Sequence, residues 1–161
     1  MTEIERTVEQ RGLYFEEFGV GTRYLHRPGR TVTEADNVLF TTLTMNSQAL
    51  HLDAEWSASQ PFGQRLVNSM FTLSTLVGSS VAQLTQGTLV ANLGFSEIAF
   101  PHPLFHGDTI YSETVIDDKR LSSSRPGQGI VMLTHLARNQ DDVVVATARR
   151  STLVWCEGAR P

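Results

Sequence analysis

Hydrophobic positions along this chain recur first at helical three- and four-residue spacing and then gather in extended segments bounded by turn residues. Leu13 to Gly21 is the first ordered stretch, with Tyr14, Phe15 and Phe18 interrupted by Glu16 and Glu17 before a Gly-Val-Gly turn. A strand is expected from Thr22 to about His26, broken by Pro28 and Gly29. Thr33 is a suitable N-cap for a helix running to about Leu43, because Asp36 lies three positions on and Ala35, Val38, Leu39, Thr42 and Leu43 share a face. Asp53 can cap a short helix through Ala58, closed by the turn Gln60-Pro61-Phe62-Gly63. The strongest helical pattern runs from Leu66 to about Thr85, with Val67, Met70, Phe71, Ser74, Val77, Gly78, Val81 and Leu84 at three- and four-residue spacing.

No charged residue lies between Arg65 and Glu97, so this long helix is expected to be buried on most sides. The second half of the chain can wrap it. Four extended segments rich in Val, Ile, Thr, Tyr and Leu occupy about 88–99, 109–120, 129–139 and 143–156. They are separated by Pro101-His102-Pro103, by Ser122 to Gly127, and by Asn139-Gln140-Asp141-Asp142. Such short links require antiparallel pairing. A long central helix, about 66–85, wrapped by an antiparallel sheet of about five strands is an α+β hot-dog fold. The domain is expected over residues 13–157, with a polar, flexible N-terminus at 1–12.

Composition narrows the function classes. At 161 residues the chain suits one domain, and with 40% hydrophobic and 19% charged residues it reads as an ordinary globular protein. The 17 acidic and 13 basic residues are scattered, which leaves nucleic acid no basic footprint. The single cysteine, Cys156, excludes an intrachain disulfide and a multi-cysteine metal site, and is expected to be a small apolar filler. No apolar run reaches the roughly 20 residues of a membrane helix, and the start of the chain lacks the pattern of a signal peptide. The cytoplasm is the expected setting.

Candidate chemistry concentrates between the two predicted helices, in Thr44-Met45-Asn46-Ser47-Gln48-Ala49-Leu50-His51-Leu52-Asp53. This run resembles the signature of the MaoC-like hydratase family: small residue, Gly, Asp, any, Asn, Pro, apolar, His, any, Asp. Val32 to Asp36, Pro61 to Arg65 and Phe105-His106-Gly107-Asp108-Thr109 flank it in the same way, and the resemblance extends from Tyr14 to Trp155. It implies reversible addition of water to the double bond of an enoyl thioester, with no cofactor beyond the CoA of the substrate and no metal. Position by position, His51 matches the catalytic histidine, Asn46 stands where the family has Asp, and the Ser69 backbone amide matches the donor that polarises the thioester carbonyl. Asn68 beside it reads as an N-cap or a substrate contact.

An amide is neutral and cannot take the water proton, so the acid–base role falls to His51 and Asn46 is left to hold water. The run Asp36 to Phe40 with Leu43 to Asn46 is most similar to the branch acting on mesaconyl-CoA, itaconyl-CoA or methylmalyl-CoA. These acyl groups carry a second carboxylate, for which Arg65 is the first candidate partner, ahead of Arg23, Arg27 and Arg30. Asp53 could orient His51 but reads first as a helix cap; His102 and His106 read as surface or turn residues. Two other functions stay open: an acyl-CoA thioesterase, disfavoured because no carboxylate lies between Val67 and Gln86, and a non-catalytic acyl-thioester-binding subunit. The resemblance also implies a homo-oligomer, at least a dimer.

Overall fold

A computed structural model describes residues 5–160. The expectation of a flexible N-terminus falls partly on residues outside that range, and the rest carries no helix or strand. Gly12 is already docked, its N–H donating to the Gln86 carbonyl at 2.7 Å. A Cβ at this position would lie 2.4 Å from the Thr85 nitrogen, so only glycine lets the chain pass so close.

Beyond it come a 3₁₀ turn (Phe15–Glu17), β1 (Arg23–Thr31), α1 (Glu34–Leu43), α2 (Ala49–Leu52), α3 (Ala54–Ala58), α4 (Ser69–Leu84), β2 (Leu89–Ala99), β3 (Thr109–Leu121), β4 (Gln128–Arg138) and β5 (Val144–Trp155). The five strands form one antiparallel sheet in the order β1-β3-β4-β5-β2, with α4 packed across β1, β3, β4 and β5. This is the hot-dog arrangement. No helix among the described residues is long and apolar enough to cross a membrane.

Strand alternation decides which side chains meet the helix. In β4 every second residue is buried (Gly129, Val131, Leu133, His135 and Ala137), and in β3 the buried set is Ile110, Ser112, Thr114 and Ile116. Two apolar clusters result. One joins Phe15, Phe18, Leu84, Ile116, Val131 and Cys156 at the C-terminal end of α4; the other joins Val32, Val67, Leu76, Leu104, Ile110 and Val145 near its start. A polar line also crosses the inner face. The Thr114 hydroxyl stands 2.8 Å from both His26 Nε2 and His135 Nδ1, and His26 Nδ1 lies 3.0 Å from Gln83 Oε1.

Four expectations are corrected. β1 does not stop at Pro28; it continues to Thr31 with an irregular register between His26 and Arg30. As an edge strand it loses little by proline's missing N–H. In α1 the apolar residues do not form the buried face: Leu39 and Leu43 are 60% and 75% exposed, while Asn37 and Thr41 are fully buried. The Thr33/Asp36 capping box is as expected. In α4 the buried face is Thr72, Leu76, Ser80 and Leu84, at four-residue spacing, whereas Met70, Ser74 and Gly78 are exposed. Small residues let the helix approach the sheet, and one flank of it stays uncovered. The helix also starts later than expected, because Leu66 pairs with Phe105 in an extended bridge and Val67 N–H donates to the Leu104 carbonyl.

Candidate active site

The loop after α1 sets the entry to the site. Thr44 ends the helix, Met45 turns the chain with φ 56°, and the Asn46 N–H donates back to the Thr41 carbonyl at 3.0 Å. The Asn46 Oδ1 accepts from the Gln48 N–H at 3.0 Å, an Asx turn that starts α2. One acceptor site of this side chain is therefore spent on the fold, and its Nδ2 has no partner among the described residues. His51 is the third residue of α2 and is 9% exposed.

His51 Nδ1 lies 3.0 Å from the Leu66 carbonyl oxygen. A carbonyl only accepts, so Nδ1 carries the hydrogen and, in the neutral ring, Nε2 carries the free lone pair. Leu66 is fixed from both sides. Its N–H donates to the Leu50 carbonyl at 3.1 Å, and it bridges Phe105.

Asn37, fully buried in α1, joins these pieces. Its Nδ2 lies 3.2 Å from the Leu66 carbonyl, 3.3 Å from the His51 carbonyl and 2.9 Å from His106 Nε2. Its Oδ1 accepts from the Asn68 N–H at 2.8 Å. Asn68, 3% exposed, is the N-cap of α4: its Oδ1 accepts from the Met70 N–H at 2.9 Å, and its Nδ2 donates to the Thr41 hydroxyl at 3.2 Å. Its side chain is thus occupied as a cap. The Ser69 N–H, the first amide of the 16-residue helix, has no acceptor among the described residues, where helix geometry and dipole favour negative charge.

Ser69 borders a cavity of about 270 Å³, walled mainly by Phe62, Leu66, Thr72, Phe100, Leu104 and Val145. The wall is mostly apolar, as an acyl chain requires. His51 and Asn46 are not part of this wall; His51 reaches it through Leu66. A larger depression of about 470 Å³, lined by Arg23, Arg27, Tyr111 and Arg138, holds none of these residues.

The charged candidates are already engaged. Arg65 Nη2 bonds Glu34 Oε1 at 2.5 Å, and this guanidinium holds the Glu34 carboxyl below its usual range. Arg30 pairs with Asp36, Arg23 lies 3.9 Å from Glu113, and Arg27 stacks over the Tyr111 ring. Burial, and secondarily the positive charge of Arg65, pushes the His106 imidazole below its ordinary value. Asp53 caps α3 through the Trp56 N–H, and His102 Nδ1 reaches the Val144 carbonyl. Among the described residues no group of three or more His, Cys, Asp or Glu could hold a metal ion.

The sequence alone suggested no role for Asn37 and left His106 to a turn. The available signal was a polar pair, Asn37 and Thr41, four residues apart and so on one face of the helix. Two buried polar groups there demand partners, and Asn68 and His106 supply them.

Comparison with known proteins gives the family and the fold. The family model described as "MaoC like domain" matches residues 17–138. A beta-methylmalyl-CoA dehydratase of Chloroflexus aurantiacus is 29% identical over 150 residues, covering 89% of this chain and 40% of that protein. A mesaconyl-CoA hydratase of Cereibacter sphaeroides is 28% identical over 144 residues, covering 89% of this chain and 41% of the relative. The chain thus spans about two-fifths of the length of these relatives. Among solved structures, a Mycobacterium tuberculosis protein described as a double hot-dog fold superposes with a TM-score of 0.80 at 22% identity, covering 91% of this chain and 45% of that one.

Proposed function

The chain belongs to the MaoC-like domain family, and from that premise we propose that it is a hydro-lyase, adding water reversibly to the double bond of an enoyl-CoA. The observation that carries the reading is the tethered His51. With Nδ1 spent on Leu66, Nε2 is the one ring nitrogen able to take a proton, and the ring is buried and tied to a residue three positions before the first amide of α4.

In the addition, His51 Nε2 takes a proton from water as the oxygen bonds to the β-carbon. The π electrons move to the thioester oxygen, where the Ser69 N–H stabilises the developing charge. The imidazolium then returns its proton to the α-carbon, leaving the hydroxyacyl thioester and a neutral His51. Asn46 steadies the water through its free Nδ2. Acid–base assistance of this kind is typically worth about 10² to 10⁴ in rate.

The substrate class we favour is a short, methyl-branched dicarboxylic acyl-CoA of the mesaconyl or itaconyl type. The names of the two relatives support it, as does Arg65 at the approach to α4. Because Glu34 already binds Arg65, the second carboxylate would have to share or displace that partner. Thioester hydrolysis is the weaker reading, since α4 carries no carboxylate from Ser69 to Leu84.

The chain is further inferred to pair with a second hot-dog unit, in the simplest case a copy of itself. β2 is an edge strand with Leu93, Phe95 and Ile98 at 37% exposure or more, and on α4 Met70 is 48% exposed. A monomer rarely leaves such a strip bare. Light scattering of the purified chain tests it: a monomeric mass would overturn the pairing.

The decisive experiment offers crotonyl-CoA, mesaconyl-CoA and itaconyl-CoA to the purified chain, following enoyl absorbance and free thiol in parallel. Absorbance loss without thiol release, abolished by His51→Ala, is the expected result. Thiol release would point to hydrolysis, and binding without turnover to a carrier subunit.

A further inference from the structure

We propose that Asn37 is a positioning residue whose amide, oriented by the Asn68 N–H and held at its other end by His106, sets His51 and the Ser69 amide in a single frame. The inference rests on the hydratase reading for its catalytic consequence and on geometry alone for the coupling itself.

The Asn37 side chain cannot turn over. Its Oδ1 accepts from the Asn68 backbone N–H at 2.8 Å, so a flipped amide would set an N–H against an N–H. The Nδ2 end must therefore face the Leu66 carbonyl, the His51 carbonyl and His106 Nε2. One planar amide thereby contacts the residue that holds the His51 ring, the backbone of His51, and the N-cap that precedes the Ser69 amide. A fully buried asparagine must keep these bonds, because each one lost leaves a desolvated polar group.

His106 holds the third contact only while its Nε2 is an acceptor. An imidazolium donates from both nitrogens, so on protonation Nε2 would turn an N–H toward the Asn37 N–H, and the locked amide has no alternative orientation. The charged and titratable groups facing this ring are few. Arg65 opposes a positive charge there and Glu34 favours one, but Glu34 is bound to Arg65. The Asp108 carboxylate is turned to the Phe105 N–H and the Gln140 amide, and His51 is linked to Asn37 through the Leu66 carbonyl. Burial and Arg65 together keep His106 neutral at ordinary pH. Acid should therefore loosen the site through Asn37.

The test uses the full chain and two readouts. In ¹H–¹⁵N spectra recorded through the acid range, the Asn68 and Ser69 amides should shift with the His106 titration, and His106→Gln, whose amide oxygen accepts without titrating, should abolish that component. Persistence of the component in His106→Gln overturns the proposal. In kinetics with whichever thioester the wild type hydrates, Asn37→Ala should lower kcat about 10²-fold with little change in KM, the scale of a displaced catalytic group. His106→Gln should retain more kcat than His106→Ala, which removes one of the three acceptors around Asn37 Nδ2. A folded Asn37→Ala enzyme with wild-type kcat, or identical kcat in the two His106 variants, also overturns it. Should Asn37→Ala fail to fold, the His106 pair decides. If the wild type hydrates none of the thioesters, the hydratase reading fails, while the spectra still decide the coupling.

Discussion

His51 Nδ1 donates to the Leu66 carbonyl across 3.0 Å, and that bond turns a histidine of a short helix into a base with a defined tautomer. Imidazole ¹⁵N shifts of the neutral protein should identify the Nδ1–H form at His51. His51→Ala should remove hydration by about 10² to 10⁴, the worth of a positioned acid–base group. His51→Gln should be no better, since an amide can keep the Leu66 bond but cannot carry the proton. Measurable turnover by His51→Gln at a wild-type rate would remove His51 from the mechanism.

Asn46 already serves the fold through its Asx turn, and aspartate makes the same turn with one carboxylate oxygen. Asn46→Asp is therefore expected to melt within about 0.5 kcal/mol of wild type, as exchanges that keep local bonds do. It should hydrate at least as fast, because a carboxylate both holds water and accepts its proton. A folded variant with collapsed activity would show a site that needs the amide.

His135 has a fully buried ring whose Nε2 has no partner among the described residues, near the Arg150 guanidinium. Burial first, then the positive charge of Arg150, pushes its pKa down to about 3. The folded state thus binds the proton less readily than the unfolded chain, whose histidine titrates near 6.5. The stabilising contribution is complete above that unfolded value and is lost as pH falls toward about 3, at up to about 1.4 kcal/mol per pH unit. Urea melts at a series of pH values should give this slope, and His135→Gln should flatten it. A wild-type slope in the variant would assign acid sensitivity to other groups.

Gly12 passes so near the end of α4 that a Cβ would meet the Thr85, Gln86 and Leu84 backbone within 2.6 Å. Gly12→Ala should destabilise by about 1–3 kcal/mol, the range for forcing extra volume into a packed position. The check is a thermal or urea melt. An unchanged midpoint would mean that this segment does not contribute to the fold.

The sequence by itself determined whatever depends on period and on short-range chemistry. The Val-, Ile- and Thr-rich segments of β3 to β5, the long uncharged stretch from Leu66 to Thr85 and the Thr33/Asp36 capping box each arise from neighbours a few residues apart. They gave the helix-then-sheet order, and the run from Thr44 to Asp53 drew attention to His51 and Asn46. The tertiary structure decided everything that depends on distant partners. The buried face of α1 is Asn37 and Thr41 rather than its leucines, because Asn68 and His106, far along the chain, satisfy those polar groups. β1 runs through Pro28 because only a position at the sheet edge makes a missing N–H harmless. The tautomer of His51 depends on a carbonyl 15 residues away, brought within reach by the bonds between Leu50, Leu66 and Phe105. Periodicity shows which residues can share a face; only the packed chain shows which face has partners, and a buried polar group is stable only where partners stand.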